Sequence, residues 1–212
     1  MGAVGASSVR APMTDAPLII CFSGRIGSGK SSVTEALSQA FGWPRAGFGD
    51  YLRQRIADEG GDPSSRQALQ DLGQLLVETD PDAFCAAVLN FGGHQQGYNL
   101  LVDGIRHVDV YHRVVRLTAP SLVRLIHLEA DDSHIRDRVA TRLNEASDLS
   151  RAEGHRVEAD LAESLPSIAD LVINANSSLH LVLAECVDAF ASFGVPSVSI
   201  DAARKCLSRI PS

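Results

Sequence analysis

Basic residues are in short supply in this 212-residue chain: 19 Lys and Arg stand against 26 Asp and Glu, a formal net charge of −7. A protein whose main task is to grip a polyanion carries the opposite excess, so no nucleic-acid partner is expected, although a local basic groove stays open. Long apolar runs are missing as well. None approaches the ~18 residues of a membrane-crossing helix, and no membrane partner is expected. Residues 1–16 mix Gly, Ala, Ser and Pro without the apolar centre of a secretory signal, and they read as a flexible N-terminal tail. Ala6 stands where a myristoylation signal wants Ser or Thr. The four cysteines, Cys21, Cys85, Cys186 and Cys206, form no CxxC pair. They are expected to be reduced structural thiols of a cytoplasmic protein. The seven histidines include no HxxxH or HExxH spacing for zinc.

What the chain does have is 45% hydrophobic residues arranged in alternating blocks. Four apolar runs, at 17–23, 98–104, 122–130 and 169–175, read as buried parallel strands. A further short strand is predicted at 45–49. Helical patterns lie between them. In 30–41, Val33, Leu37 and Phe41 recur every four residues. The segment 50–60 ends at Gly60-Gly61, and 64–79 has Ser65 as N-cap with Leu69, Leu72, Leu75 and Leu76 on one face. The segment 81–93 opens on Pro81 and closes on a Gly pair. Further helices are predicted at 131–144 and 179–190. Strands alternating with helices imply a parallel sheet covered on both faces. One domain over residues 17–190 is expected, with a C-terminal extension at 191–212.

One stretch is chemically specific. Gly24, Arg25, Ile26, Gly27, Ser28, Gly29, Lys30 and Ser31 fill the pattern GxxxxGK[ST], with a strand before and a helix after. The glycines let the backbone turn tightly and point its N–H groups inward at a polyphosphate. The helix adds its unsatisfied amides and positive dipole end. Lys30 can then reach the β and γ phosphates, and the Ser31 hydroxyl can ligate Mg²⁺. Ser32 follows in the first helical turn. The metal needs an acid, and Asp103 ends the apolar strand "LLVDG" at the carboxyl edge of the sheet. The fold class this sets is α/β: a P-loop NTPase three-layer sandwich with about five parallel strands, helices on both faces and a small lid.

At this point the chain resembles the P-loop small-molecule kinases, the group of nucleoside monophosphate kinases and dephospho-coenzyme A kinase. The P-loop carries the resemblance, together with "GFGDYLR" (47–53), "LVDGIR" (101–106), "IRDRVATR" (135–142) and "DLVINANSS" (170–178). The resemblance implies an ATP- and Mg²⁺-dependent phosphotransferase that moves the γ-phosphoryl group to a small acceptor. It implies that Asp50 and Arg53 face the acceptor, within acceptor-binding helices at about 48–95, with Arg106 beside the transferred phosphoryl group or the acceptor as a further acceptor-binding residue. It makes Arg138 and Arg142 lid-side arginines, Arg142 on the nucleotide, and puts Asn176 near the adenine. Asp50 is also the candidate base for a hydroxyl acceptor. The chain departs from the family in having Phe48 where the group has Thr, and in a short, acidic lid candidate at 143–160. There Arg151 and Arg156 are further lid candidates. His155 and Glu158 lie one turn apart, as a metal or acid–base pair or as a surface pairing. Two other classes stay open: a nucleotide-dependent switch or regulatory ATPase, and a nucleotide-binding module serving another protein. The guanine signature NKxD and the motif LSGGQ are both absent. The acceptor and the oligomeric state cannot be read from the residues.

Overall fold

A computed structural model describes residues 16–136 and 163–210. The proposed lid at 143–160, with Arg138, Arg142, Arg151, His155, Arg156 and Glu158, lies outside them.

The apolar runs form β1 (Leu18–Ser23), β2 (Arg45–Gly47), β3 (Leu100–Ile105), β4 (Leu122–Glu129) and β5 (Leu171–Asn174). All are parallel, in the order β2-β3-β1-β4-β5. Period-two alternation along β1 divides the core. Leu18, Ile20 and Phe22 face one cluster, with Leu101, Ile126, Leu128 and Ile173. Ile19 and Cys21 face the other, with Leu100, Val102 and Leu125. Both faces are buried, which is why these strands read as unbroken apolar runs rather than as alternating ones.

The first face is covered by α1 (Lys30–Phe41), α7 (Leu179–Ser192) and α8 (Ser197–Leu207). Val33 and Leu37 of α1 are buried there, and Phe41 packs in an aromatic group with Trp43 and Phe190. Within the C-terminal extension, α8 buries Ile200, Ala203 and Leu207 against α1 and α7.

The second face carries α2 (Phe48–Asp58), α4 (Pro81–Phe91) and α5 (Val108–Leu117). The last was not among the predicted helices, although Val110 and Val114 recur at a helical spacing and are buried. Outside α2 and α4 lies α3 (Arg66–Thr79), whose N-cap is Ser65 as expected, its side chain accepting from the amide of Ala68. Leu69, Leu72 and Leu76 pack on the core, but Leu75 is turned to solvent, 58% exposed. A peripheral helix has a narrow buried stripe, and positions 69, 72 and 76 already fill it. The short α6 (Leu165–Ile168) leads into β5.

At the carboxyl edge, Phe22 stands opposite Asp103, but Ser23 stands opposite Ile105. The register slips one residue at Gly104, which sits at φ 97°, a conformation that suits glycine and lets one extra residue bulge from the ladder. Asp103 is thereby the last residue paired in step with β1, directly before the glycine-rich turn. On its other side it pairs with Gly47 of β2.

Candidate nucleotide and acceptor site

The turn between β1 and α1 has the backbone that its glycines allow. Gly24, Gly27 and Gly29 adopt φ 137°, 82° and 95°, values that L side chains rarely take. A Cβ on Gly24 would in addition collide with the carbonyl oxygen of Leu128. Gly29 is the N-cap of α1, and no side chain caps the helix there. The first-turn amides of α1 are thus presented for an anion. Ser28 is buried at 1% exposure, while Ser31 is exposed and Ser32 half-buried in that first turn.

Lys30 is 8% exposed. Its Nζ donates to the carbonyls of Gly24 at 2.5 Å and Arg25 at 2.7 Å, and approaches Ser28 Oγ at 3.4 Å. The ammonium is therefore folded across the mouth of its own loop, one short swing from where a phosphate would meet the amides. Arg25 reaches outward to pair with Asp132, just after β4, and that pairing holds the Asp132 carboxyl below its ordinary range. Its neighbour Asp131 donates its backbone N–H to Asn176 Oδ1 at 2.9 Å. Asn176 thus ties the loop after β5 to the segment that anchors the P-loop.

Asp103 is 5% exposed. Its Oδ2 accepts from Thr34 Oγ1 at 3.3 Å and from Arg45 Nη1 at 2.9 Å. The Thr34 hydroxyl also lies 3.2 Å from the carbonyl of Ser31. One side chain of α1 therefore spans the two predicted metal-side residues, Ser31 and Asp103. A hydroxyl and a carboxylate are the hard oxygen donors that suit Mg²⁺, which keeps several waters and takes few protein ligands. The residues present fit that ion.

The residues predicted to face the acceptor begin in α2. Asp50 and Arg53, predicted to lie one turn apart on one face, form an ion pair at 2.9 Å. The other carboxylate oxygen of Asp50 accepts from Arg45 Nη2 at 2.5 Å. Arg106 follows β3 directly and is half-buried. The structure therefore brings Lys30, Ser31, Asp103, Asp50, Arg53 and Arg106 to one edge of the sheet. It also adds Arg45 and Thr34, which sequence reasoning did not single out. Arg45 lies in a strand too short to show a pattern, and its partner Asp103 is 58 residues away.

A second addition lies behind the loop. His127 of β4 is 3% exposed, with Nδ1 2.9 Å from Ser23 Oγ. Burial first, and then the charge of Lys30, push its pKa down to about 4. The imidazole is therefore neutral in the fold, while in the unfolded chain it titrates near 6.5. Between those values the unfolded state binds the proton and the native state does not, so stability is full above pH 6.5 and falls as pH drops toward 4. Denaturant titrations should show His127 contributing a loss of about 2 kcal/mol between pH 7 and pH 5. His127→Gln should flatten that part of the profile; an unchanged slope in the variant would put the acid sensitivity elsewhere.

Residues 20–162, more than half of the chain, match the AAA domain family. Among curated proteins, an adenylate kinase of Elusimicrobium minutum (strain Pei191) is 24% identical over 129 residues, 59% of this chain and 58% of that protein's length. Among solved structures, a gluconokinase from Sinorhizobium meliloti 1021 superposes with a TM-score of 0.51 at 20% identity, covering 84% of this chain and 94% of its own. A protein from Chloroflexus aurantiacus j-10-fl gives 0.53 at 17%, covering 86% and 100%. At these identities the superpositions establish the fold alone, a three-layer α/β P-loop sandwich.

Proposed function

We propose that this chain, which belongs to the AAA domain family, is a phosphotransferase that moves the γ-phosphoryl group of ATP to a small acceptor, in the first instance a nucleoside monophosphate or similar phosphorylated metabolite. One observation carries the reading. The complete P-loop and its opposing carboxylate Asp103 are joined without a break, through Arg45, to the Asp50–Arg53 pair on α2. A nucleotide switch needs the first half of that arrangement and has no use for the second. The likeness to an adenylate kinase supports a phosphorylated acceptor, and the gluconokinase of similar fold keeps hydroxyl acceptors in the test.

The roles follow from position. The loop amides of Gly27, Ser28 and Gly29 and the first turn at Ser31 and Ser32 hold the polyphosphate. Lys30 leaves the Gly24 and Arg25 carbonyls for the β and γ oxygens. Ser31 and Asp103 would hold magnesium, directly or through water, and the ion would neutralise charge on the phosphate oxygens. Arg53 and Arg106 grip the acceptor phosphate, each offering two parallel N–H donors. With a hydroxyl acceptor, Asp50 is the candidate base. Arg138 and Arg142 would close over the transferred group from the lid, and Asn176 would border the adenine. Free thiols at all four cysteines accord with a cytoplasmic setting. Among the described residues, no helix is long and apolar enough to cross a membrane.

A coupled ADP-release screen tests the proposal, with ATP and Mg²⁺ against nucleoside and deoxynucleoside monophosphates, dephospho-coenzyme A and hydroxyl acceptors. ADP release stimulated by an acceptor is expected. Slow hydrolysis indifferent to every acceptor would replace this reading with the switch.

A further inference from the structure

Arg45 is the least expected residue of the site. Its side chain is 16% exposed, and its guanidinium bridges Asp103, on the nucleotide side, and Asp50, on the acceptor side, one through Nη1 and the other through Nη2. Glu35 of α1 lies 3.5 Å away as a third carboxylate. The strand is built to make room for this bridge. Gly47 follows Arg45 on the same face of β2, and a Cβ there would collide with the Asp50 carboxylate and come within 3.1 Å of Arg45 Nη1. A partly desolvated ion cluster of this kind adds little net stability, since removing the charges from water offsets most of their attraction. Its effect lies in what it ties together.

We propose that Arg45 is a positioning residue that couples the acceptor pocket to the metal-side carboxylate, by competing with the divalent cation for Asp103. The inference rests on the phosphotransferase reading above. With Asp50 and Asp103 both on one guanidinium, the positive charge of Arg45 occupies Asp103 Oδ2 and repels a second cation. A phosphate arriving at Arg53 offers Arg45 a new anion beside Asp50. The guanidinium then turns toward it, and Asp103 is released to the metal. Acceptor and Mg²⁺–nucleotide therefore bind with positive coupling, and by linkage each favours the other to the same extent. The metal is held firmly only when something is there to be phosphorylated.

The test uses a non-hydrolysable ATP analogue, titrated calorimetrically into the full chain across a range of Mg²⁺ concentrations. Each nucleoside monophosphate of the panel is absent in one series and present in the other. Thermal unfolding accompanies every variant. In the wild type, at least one monophosphate should lower the Mg²⁺ concentration for half-maximal analogue binding. Arg45→Gln should lower it by about tenfold without any monophosphate, the effect of one charge-assisted pair, and should abolish the further shift. Arg45→Lys keeps the charge but not the fork, and should fall between the two. It also serves as the deciding variant if Arg45→Gln does not fold. Mg²⁺-dependent binding that neither variant alters would overturn the coupling and leave the phosphotransferase reading in place. The same holds if no monophosphate shifts the wild type. Analogue binding that is absent, or indifferent to Mg²⁺ in the wild type, would bring down both.

Discussion

Lys30→Ala is expected to lower phosphoryl transfer by at least about a hundredfold while the protein still folds. The Lys30 ammonium stands where the GxxxxGK[ST] turn enters its helix, and it sits among loop carbonyls at 2.5 and 2.7 Å. Those carbonyls hold it at the mouth of the turn. Leaving them exchanges neutral acceptors for charged phosphate oxygens, and the new contact strengthens as charge builds in the transition state. Such a contact is worth at least ~3 kcal/mol of barrier, hence the hundredfold. The fold should tolerate the change, because the backbone of the turn is set by its glycines and by the strand and helix on either side. Acceptor-dependent ADP release would be measured beside thermal unfolding. A folded variant with near-normal turnover would remove the assignment of this loop as the catalytic phosphate site.

Arg53→Ala is expected to cost ~10- to 150-fold in acceptor kcat/KM, the worth of a charged hydrogen bond at about 1.4 kcal/mol per decade. ATP affinity should hardly change. Arg53 is held through Nη1 to Asp50, and its side chain is 53% exposed. It keeps enough freedom to turn its planar fork onto a phosphate, while Asp50 retains Arg45 as a second partner. Arg53→Lys should recover part of the loss, since the charge remains and the two parallel bonds do not. Separate titrations of nucleotide binding and acceptor kinetics decide the matter. Equal losses in both, or a loss in neither, would make Arg53 a surface partner of Asp50 and move the acceptor phosphate to Arg106.

Much of this site is legible along the chain because its chemistry is contiguous. The P-loop is eight successive residues between a strand and a helix, and each glycine answers a local backbone demand. The Asp50–Arg53 pair was equally readable, since helix geometry brings residues three apart together whatever surrounds them. The place of Asp103 at the carboxyl end of its strand was readable from the acid that follows the apolar run Leu100–Val102. Arg45, Thr34 and His127 escaped for the opposite reason. Arg45 belongs to a three-residue strand, and Thr34 resembles any polar residue near a helix start. His127 is one buried imidazole in an apolar run, and its partner Ser23 is 104 residues away. Leu75 shows the converse case: the helical period of α3 was right, but how much of the helix would be covered depended on its distance from the sheet.

By itself the sequence determined the five strands, α1 to α4, α7 and the glycine-rich turn, because hydrophobic period, caps and glycine conformations act over a few residues. It also determined that both faces of the sheet are covered, since four apolar runs without alternation have no other way to avoid water. The strand order was left to tertiary packing. Parallel strands are joined by crossovers, and a crossover can land on either side of its neighbour until the helices pack. Here β3 settles between β2 and β1. That single placement sets Gly47, Asp103 and Phe22 side by side in register. Arg45 then lies between the nucleotide-side acid and the acceptor-side acid. No local rule places a guanidinium between carboxylates 5 and 58 residues away; the close approach of three strand ends does.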